Sequence, residues 1–246
     1  MRLVGKCALV TGSSQGLGRI IAVRLAAEGA SVIVNNEGDE ERALAVVGQI
    51  ASYGGRARGI CADIASDADV KRLFGEAGPV DILVNNARID PYFRPRSDTD
   101  GQWFERVLHV NLTGAYLCSM AFFEQAKERG WGRIVNISSV RSFIPAEMNM
   151  IAYGVSKLGM HGLTRAFAAN GARYGITCNT VAPGMIDTEN MDRRLTPAMR
   201  DEEIGRIPIG RPSTCDEIAD AVLFAVENGS ITGETINING GMYFAP

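Results

Sequence analysis

The stretch Lys6 to Gly18, KCALVTGSSQGLG, decides the fold of this 246-residue chain. Lys6 to Thr11 is a short apolar run of strand length, glycines follow at positions 12, 16 and 18, and Leu17 to Gly29 repeats its apolar residues with a helical period. Glycines let a backbone come close to a pyrophosphate, and the free N–H groups of a helix start attract its charge. Glycine spacing alone is a weak signal. Here a β-branched run, Ala30 to Asn35, comes next and completes the strand–helix–strand unit in which such a loop binds a dinucleotide.

Beyond that second strand lie Asn35, Asn36, Glu37, Gly38, Asp39, Glu40 and Glu41, where a dinucleotide fold chooses between a ribose 2′-hydroxyl and a 2′-phosphate. Asn36 and Glu37 suit the hydroxyl, and Gln15 in the glycine loop brings no positive charge, so NAD is expected over NADP although Arg42 is near. The alternation then continues: helix Glu40 to Ser52, strand Arg56 to Asp63, helix Asp67 to Glu76, strand Val80 to Asn85, a long helix Asp100 to Lys127, strand Arg133 to Ile137, helix Met150 to Tyr174, strand Ile176 to Val181, helix Thr214 to Glu227 and strand Ile231 to Asn239. Such regularity predicts an α/β fold, a doubly wound sheet of about seven parallel strands with helices on both faces, in a single domain over residues 1–246.

Three segments interrupt the pattern. Asn111 and Gly114 sit inside the long helix, where an amide is either tolerated or opens the hydrogen-bond ladder around a water. Residues 185–207 carry Met191, Leu195, Met199 and Ile204 among charges and read either as a substrate lid or as core packing. The loop with Tyr92, Phe93, Arg94 and Arg96 either borders a pocket or is simply solvated.

Composition narrows the class. The chain is 46% hydrophobic with a net charge of -3, its Lys and Arg residues are scattered, and no run approaches the ~20 apolar residues of a membrane span. The expectation is a soluble cytoplasmic protein that binds neither nucleic acid nor membrane. Five widely spaced cysteines, Cys7, Cys61, Cys118, Cys178 and Cys215, read as reduced thiols, and no metal site is expected, since His109 and His161 share no ligand spacing with them.

The chemistry gathers in Asn136 to Lys157, NISSVRSFIPAEMNMIAYGVSK. Tyr153 and Lys157 stand four apart, on one face of a helix. A phenol ionises near pH ~10, and an ammonium within a few ångströms favours the phenolate and moves that value toward the range of a working acid/base. Ser139 follows a strand end, where open α/β sheets bind ligands. A Tyr and Lys at this spacing also occur on ordinary solvated faces, so the pair gains meaning only from the rest of the chain.

In order and spacing, the motifs resemble the short-chain dehydrogenases/reductases in their single-domain Rossmann form, over essentially the whole chain. The resemblance makes Thr11 to Gly18, with Gly12, Ser14, Gln15, Gly16, Leu17 and Gly18, the cofactor loop. It makes Asp63 the adenine-contacting acid, with Ile64 beside it, and Asn85-Asn86-Ala87 the segment that stabilises the central sheet, Asn85 and Ala87 counting among the cofactor positions. Pro183 and Gly184 through Ile186 to Thr188 resemble the loop against the nicotinamide, and Asn111, Ser139, Tyr153 and Lys157 the catalytic set, of which Tyr153 and Lys157 also touch the cofactor.

The implied activity is reversible hydride transfer between a nicotinamide and a small secondary alcohol or ketone. Ser139 would bond the substrate oxygen, Tyr153 move its proton, Lys157 lower the phenol's pKa, and Asn111 hold a water. A homotetramer joined through the helices at 100–127 and 150–174 is also implied. The alternatives are an NADPH-dependent 3-oxoacyl carrier-protein reductase and a dinucleotide-binding regulatory protein without catalysis.

Three departures stand out. Arg88 replaces the glycine that usually follows NNA. Ser139 and Tyr153 are fourteen apart rather than thirteen, which keeps Ser138 as a reserve. The segment between Val70 and Asp81 is about one helical turn short. Arg141 or Arg94 is a candidate contact for an acidic substrate group.

Overall fold

β1 (Cys7–Val10) lies inside a seven-stranded sheet in this computed structural model, which describes residues 1–145, 147–189, 191 and 195–244. The other strands are β2 (Ser31–Asn36), β3 (Arg56–Cys61), β4 (Ile82–Asn85), β5 (Gly132–Ile137), β6 (Ile176–Pro183) and β9 (Thr235–Ile238), in the order β3-β2-β1-β4-β5-β6-β9. Every pairing in it is parallel. A separate parallel ribbon joins β7 (Ile186–Asp187) to β8 (Ser213–Thr214).

Successive side chains of a strand point to opposite faces, and both faces here are dry. Ala8 and Val10, Val32 and Val34, and Ile82 and Val84 pack under α1 (Gly16–Ala27), α2 (Glu40–Ser52) and α8 (Cys215–Glu227). The alternate residues Leu9, Ile33, Leu83 and Ile134 pack under α3 (Asp67–Ala77), α5 (Gly114–Arg129) and α6 (Ile151–Gly171). Both faces being covered explains why the strands read as near-continuous apolar runs. All five cysteines are free, with Cys118 and Cys178 in the second layer. No helix of the described residues is long and apolar enough to cross a membrane.

The expected helix from Asp100 to Lys127 is interrupted. α4 (Asp100–Leu108) starts with Thr99 and Gln102 capping each other, passes into a π-helical turn at His109–Thr113, and resumes as α5. Two tertiary contacts sit at the irregularity. The Asn111 carboxamide accepts from the Ile89 N–H at 2.8 Å and donates to Ser156 Oγ at 3.2 Å. A Cβ on Gly114 would lie 2.8 Å from Ile64 Cδ1, so only glycine lets the helix seat here without displacing Ile64. The last strand is shorter than expected, Thr235–Ile238. α7 (Pro197–Gly205) lies in the segment expected as a lid, of which residues 190 and 192–194 are outside the described residues.

Candidate active site

The strand order reverses between β1 and β4, and in an open α/β sheet such a reversal opens a crevice at the strands' carboxyl ends. A cavity of about 720 Å³ lies there. It runs from the glycine loop and the end of β2 to Ser139, Tyr153 and Lys157.

The glycine loop is fixed from below. Gly12 has φ +59°, and a Cβ on it would come within 2.8 Å of Ala87 Cα, so the loop rests directly on the chain leaving β4. Thr11 Oγ1 accepts from the N–H groups of Asn86 and Ala87 at 2.9 and 3.0 Å. Asn35 Oδ1 accepts from Gly12 N–H at 3.2 Å while its amide donates to Ile60 O and Ala62 O. No side chain caps α1, whose first residues Gly16, Leu17 and Gly18 line the cavity. A bare helix start beside a close-packed glycine loop fits the pyrophosphate of a dinucleotide.

At the end of β2, Asn36 and Glu37 face the cavity, and burial first and Asp63 second raise the Glu37 carboxyl above the usual range. Asn36 Oδ1 accepts from Asp39 N–H at 2.9 Å. Arg42 also lines this end, donating to Gln15 Oε1 at 2.7 Å and pairing with Asp39 at 3.1 Å.

Toward the other end, Lys157 is 1% exposed and its ammonium donates to Ile137 O at 2.7 Å. Its Nζ lies 5.7 Å from the Tyr153 ring centroid, as two positions one helical turn apart should be. Burial, and next the charge of Arg88, push Lys157 down to about 7. Ser139 Oγ accepts from Arg141 N–H at 3.2 Å, which leaves its own hydrogen for a group in the cavity. Ser138 Oγ instead donates to Lys157 O at 2.8 Å and touches His161, which commits it to the scaffold.

The cavity brings together Gly12, Ser14, Gln15, Gly16, Leu17, Gly18, Asn36, Glu37, Ile64, Ala87, Ser139, Tyr153, Lys157, Pro183, Gly184, Ile186 and Thr188. Three expected residues are not on its wall. Asp63 lies between two residues that are, with Oδ1 accepting from Ala65 N–H at 2.8 Å. Asn85 is buried in the sheet, donating to Ser119 Oγ and Asn136 Oδ1. Asn111 stands behind the site, and since Ser156 Oγ donates to Tyr153 O at 2.7 Å, its bond to Ser156 braces the turn that carries Tyr153.

Arg88 lines the cavity and pairs with Asp90 at 3.6 Å. Arg141 lines it too and pairs with Glu203 of α7 at 3.5 Å, whereas Arg94 is exposed, pairs with Asp100 and lies off the wall. Val140, Met150, Met185 and Met242 give this end an apolar surface beside Tyr92, whose phenol burial raises. Sequence reasoning missed Asn35 as the clamp of the glycine loop and His161 as the hub of the serine network. An amide inside a strand buried on both faces was the available signal for the first, and nothing in the spacing signalled the second.

A doubly wound sheet with a glycine loop at its switch point, and a tyrosine–lysine pair beside a serine in the same crevice, defines a nicotinamide-dependent oxidoreductase. The chain matches the short chain dehydrogenase family over residues 6–199 and belongs to it. It is an NAD(P)-dependent oxidoreductase of CH–OH and keto groups.

Among its relatives, the 3-oxoacyl-acyl-carrier-protein reductase FabG of Aquifex aeolicus is 39% identical over 252 residues, covering 99% of this chain and 99% of that one. The acetoacetyl-CoA reductase of Rhizobium meliloti is 38% identical over 253 residues, covering 98% and 100%. The crystal structure of a gluconate 5-dehydrogenase from Burkholderia cenocepacia in complex with NADP and tartrate superposes with a TM-score of 0.87 at 32% identity, covering 98% of this chain and 96% of that one.

Proposed function

We propose that this protein is an NAD-preferring dehydrogenase/reductase of a small to medium secondary alcohol or ketone, with Tyr153 as its general acid/base. The observation that carries the reading is the opening of Tyr153, Lys157 and Ser139 onto one cavity whose far end is the glycine loop. A bound nicotinamide supplies or accepts the hydride. In the reductive direction Ser139 Oγ–H donates to the substrate carbonyl, and Tyr153 passes its phenolic proton to the oxygen as it gains charge. Lys157 in its ammonium form favours the phenolate that remains. Oxidation runs the same transfers backwards. Asn111 is a positioning residue in this scheme, acting on Tyr153 through Ser156.

The preference for NAD rests on Glu37, which lines the cavity with Asp63 near enough to raise its carboxyl. A 2′-phosphate beside the Glu37 carboxylate is repelled. The second reading, an NADPH-dependent reductase of 3-oxoacyl thioesters, is favoured by Arg42 on the same wall and by the names of the relatives above. Asp39 already pairs with that guanidinium, which lowers its value to a phosphate.

Residues 185–207 act as the substrate lid, a role supported by the pairing of Arg141 on the cavity wall with Glu203 of α7. The chain works as a homotetramer in the cytoplasm, where its free thiols stay reduced.

The test is Tyr153→Phe, assayed with NAD and NADP against a panel of secondary alcohols and ketones. Turnover falls by about 10²- to 10⁴-fold while NADH fluorescence titration shows unchanged binding. Preserved turnover removes Tyr153 from its role, and a higher kcat/KM with NADP than with NAD selects the second reading. Tight NAD binding without turnover on any panel member identifies a silent binding protein.

A further inference from the structure

We propose that His161 is a positioning residue that holds the Ser139 turn in its working geometry, an inference that rests on the role given to Ser139 above. His161 stands on α6 one turn beyond Lys157 and is 4% exposed. Its Nε2 lies 2.9 Å from both Ser138 Oγ and Ser142 Oγ, and its Nδ1 lies 3.0 Å from Thr235 Oγ1 of β9.

Counting hydrogens assigns a direction to these bonds. A hydroxyl has one hydrogen to give. That of Ser138 goes to Lys157 O at 2.8 Å and that of Ser142 to Ser139 O at 2.6 Å. With the hydrogens assigned in this way, both oxygens accept from His161, the ring carries its hydrogen on Nε2, and Nδ1 accepts from Thr235. A neutral imidazole then reaches all three partners, its single Nε2–H shared between the two serine oxygens. Burial keeps it neutral, pushing its pKa down to about 4.

The network ends on the backbone of Ser139. Its carbonyl receives the Ser142 hydroxyl and the Ser142 N–H, the latter at 3.0 Å, and the preceding residue, Ser138, is bound to the ring directly. The ring's face is held as well, with Phe143 at 4.8 Å and Tyr243 stacked on Phe143 at 4.5 Å. His161 does not itself line the cavity, and its ring reaches the Ser139 turn through Ser138 and Ser142, so it acts on the reaction by aiming the Ser139 hydroxyl.

The experiment compares His161→Ala, His161→Gln and Ser139→Ala, using the fastest substrate of the panel and NADH as the binding probe. In His161→Ala, kcat falls about 10- to 100-fold with the NADH dissociation constant unchanged, since a small misplacement of a catalytic group costs rate rather than cofactor affinity. His161→Gln restores most of kcat, because its amide can still donate to both serines. Thr235→Val keeps the imidazole, serves if the alanine variant does not fold, and gives a smaller loss of the same kind.

Full activity in Ser139→Ala defeats the reading of Ser139. An inactive Ser139→Ala alongside His161→Ala and Thr235→Val with unchanged kcat leaves that reading standing and overturns the present proposal. Equal losses of kcat and NADH affinity in His161→Ala, or no rescue by glutamine, also overturn it, since they mark a general structural role.

Discussion

Lys157 combines two demands that conflict. In the proposed mechanism it is charged to favour the Tyr153 phenolate, yet it is buried beside Arg88, and both effects disfavour its charge and bring it to about 7. The consequence for stability has a definite sign. The unfolded chain holds the lysine proton up to about 10.5, so between about 7 and 10.5 it binds more protons than the fold, and folding gains stability as pH rises through that window. Arg88→Gln removes the like charge and lets the lysine recover part of its ordinary value. Each unit recovered takes about 1.4 kcal/mol from that gain. Urea midpoints of the nucleotide-free protein measured from pH 7 to 10 should therefore rise less steeply in Arg88→Gln than in the parent; equal slopes would show that Arg88 does not act on Lys157. That Tyr153 and Lys157 share one face of a helix was legible in the sequence, because four-residue spacing has one geometric meaning there. His161 was not, because its partners lie 23 residues before it and 74 after it.

At the scale of elements, the glycine loop and the interrupted helix show the same limit. Strand, glycine turn and helix could be read at residues 6–29 because each is a local pattern. That the loop hangs from Asn35 could not, since the amide bonds Gly12, Ile60 and Ala62 at once. Asn35→Ala leaves those groups short of a buried partner and should cost about 1–3 kcal/mol of stability. It should also weaken NADH binding while sparing kcat at saturation, which denaturation and fluorescence titration would check. The break at His109–Thr113 has a comparable origin. Asn111 and Gly114 are weak helix residues in the sequence, but the partners that take them, Ile89, Ser156 and Ile64, come from other elements.

For the whole molecule, the doubly wound sheet was predictable because regular alternation leaves few topologies, and the seven parallel strands agree with it. The assembly is a different matter. Tyr116 and Met120 on α5, and Ile151, Val155 and Leu158 on α6, are exposed apolar side chains on the two helices expected to pack between subunits. Light scattering should give four times the chain's 26.4 kDa, and replacing Val155 and Leu158 by Glu should lower the mass without unfolding the sheet. A monomer in the parent protein would refute the tetramer. Cofactor end and substrate end also differ in legibility. Backbone and a few fixed side chains build the first, whereas the second depends on how Met150, Met185, Met242 and Tyr92 converge from distant parts of the chain.

The stack of Tyr243 on Phe143, with Thr235 against His161, also orders events during synthesis. Chains emerge from the ribosome N-terminus first and begin folding as they do. A nascent chain that has exposed everything through Glu227 already carries the glycine loop, Ser139, Tyr153 and Lys157, but the strand and tail that brace the serine turn are still to come. Cofactor binding should thus arise before translation finishes, and full turnover only once the last strand has been threaded onto β6.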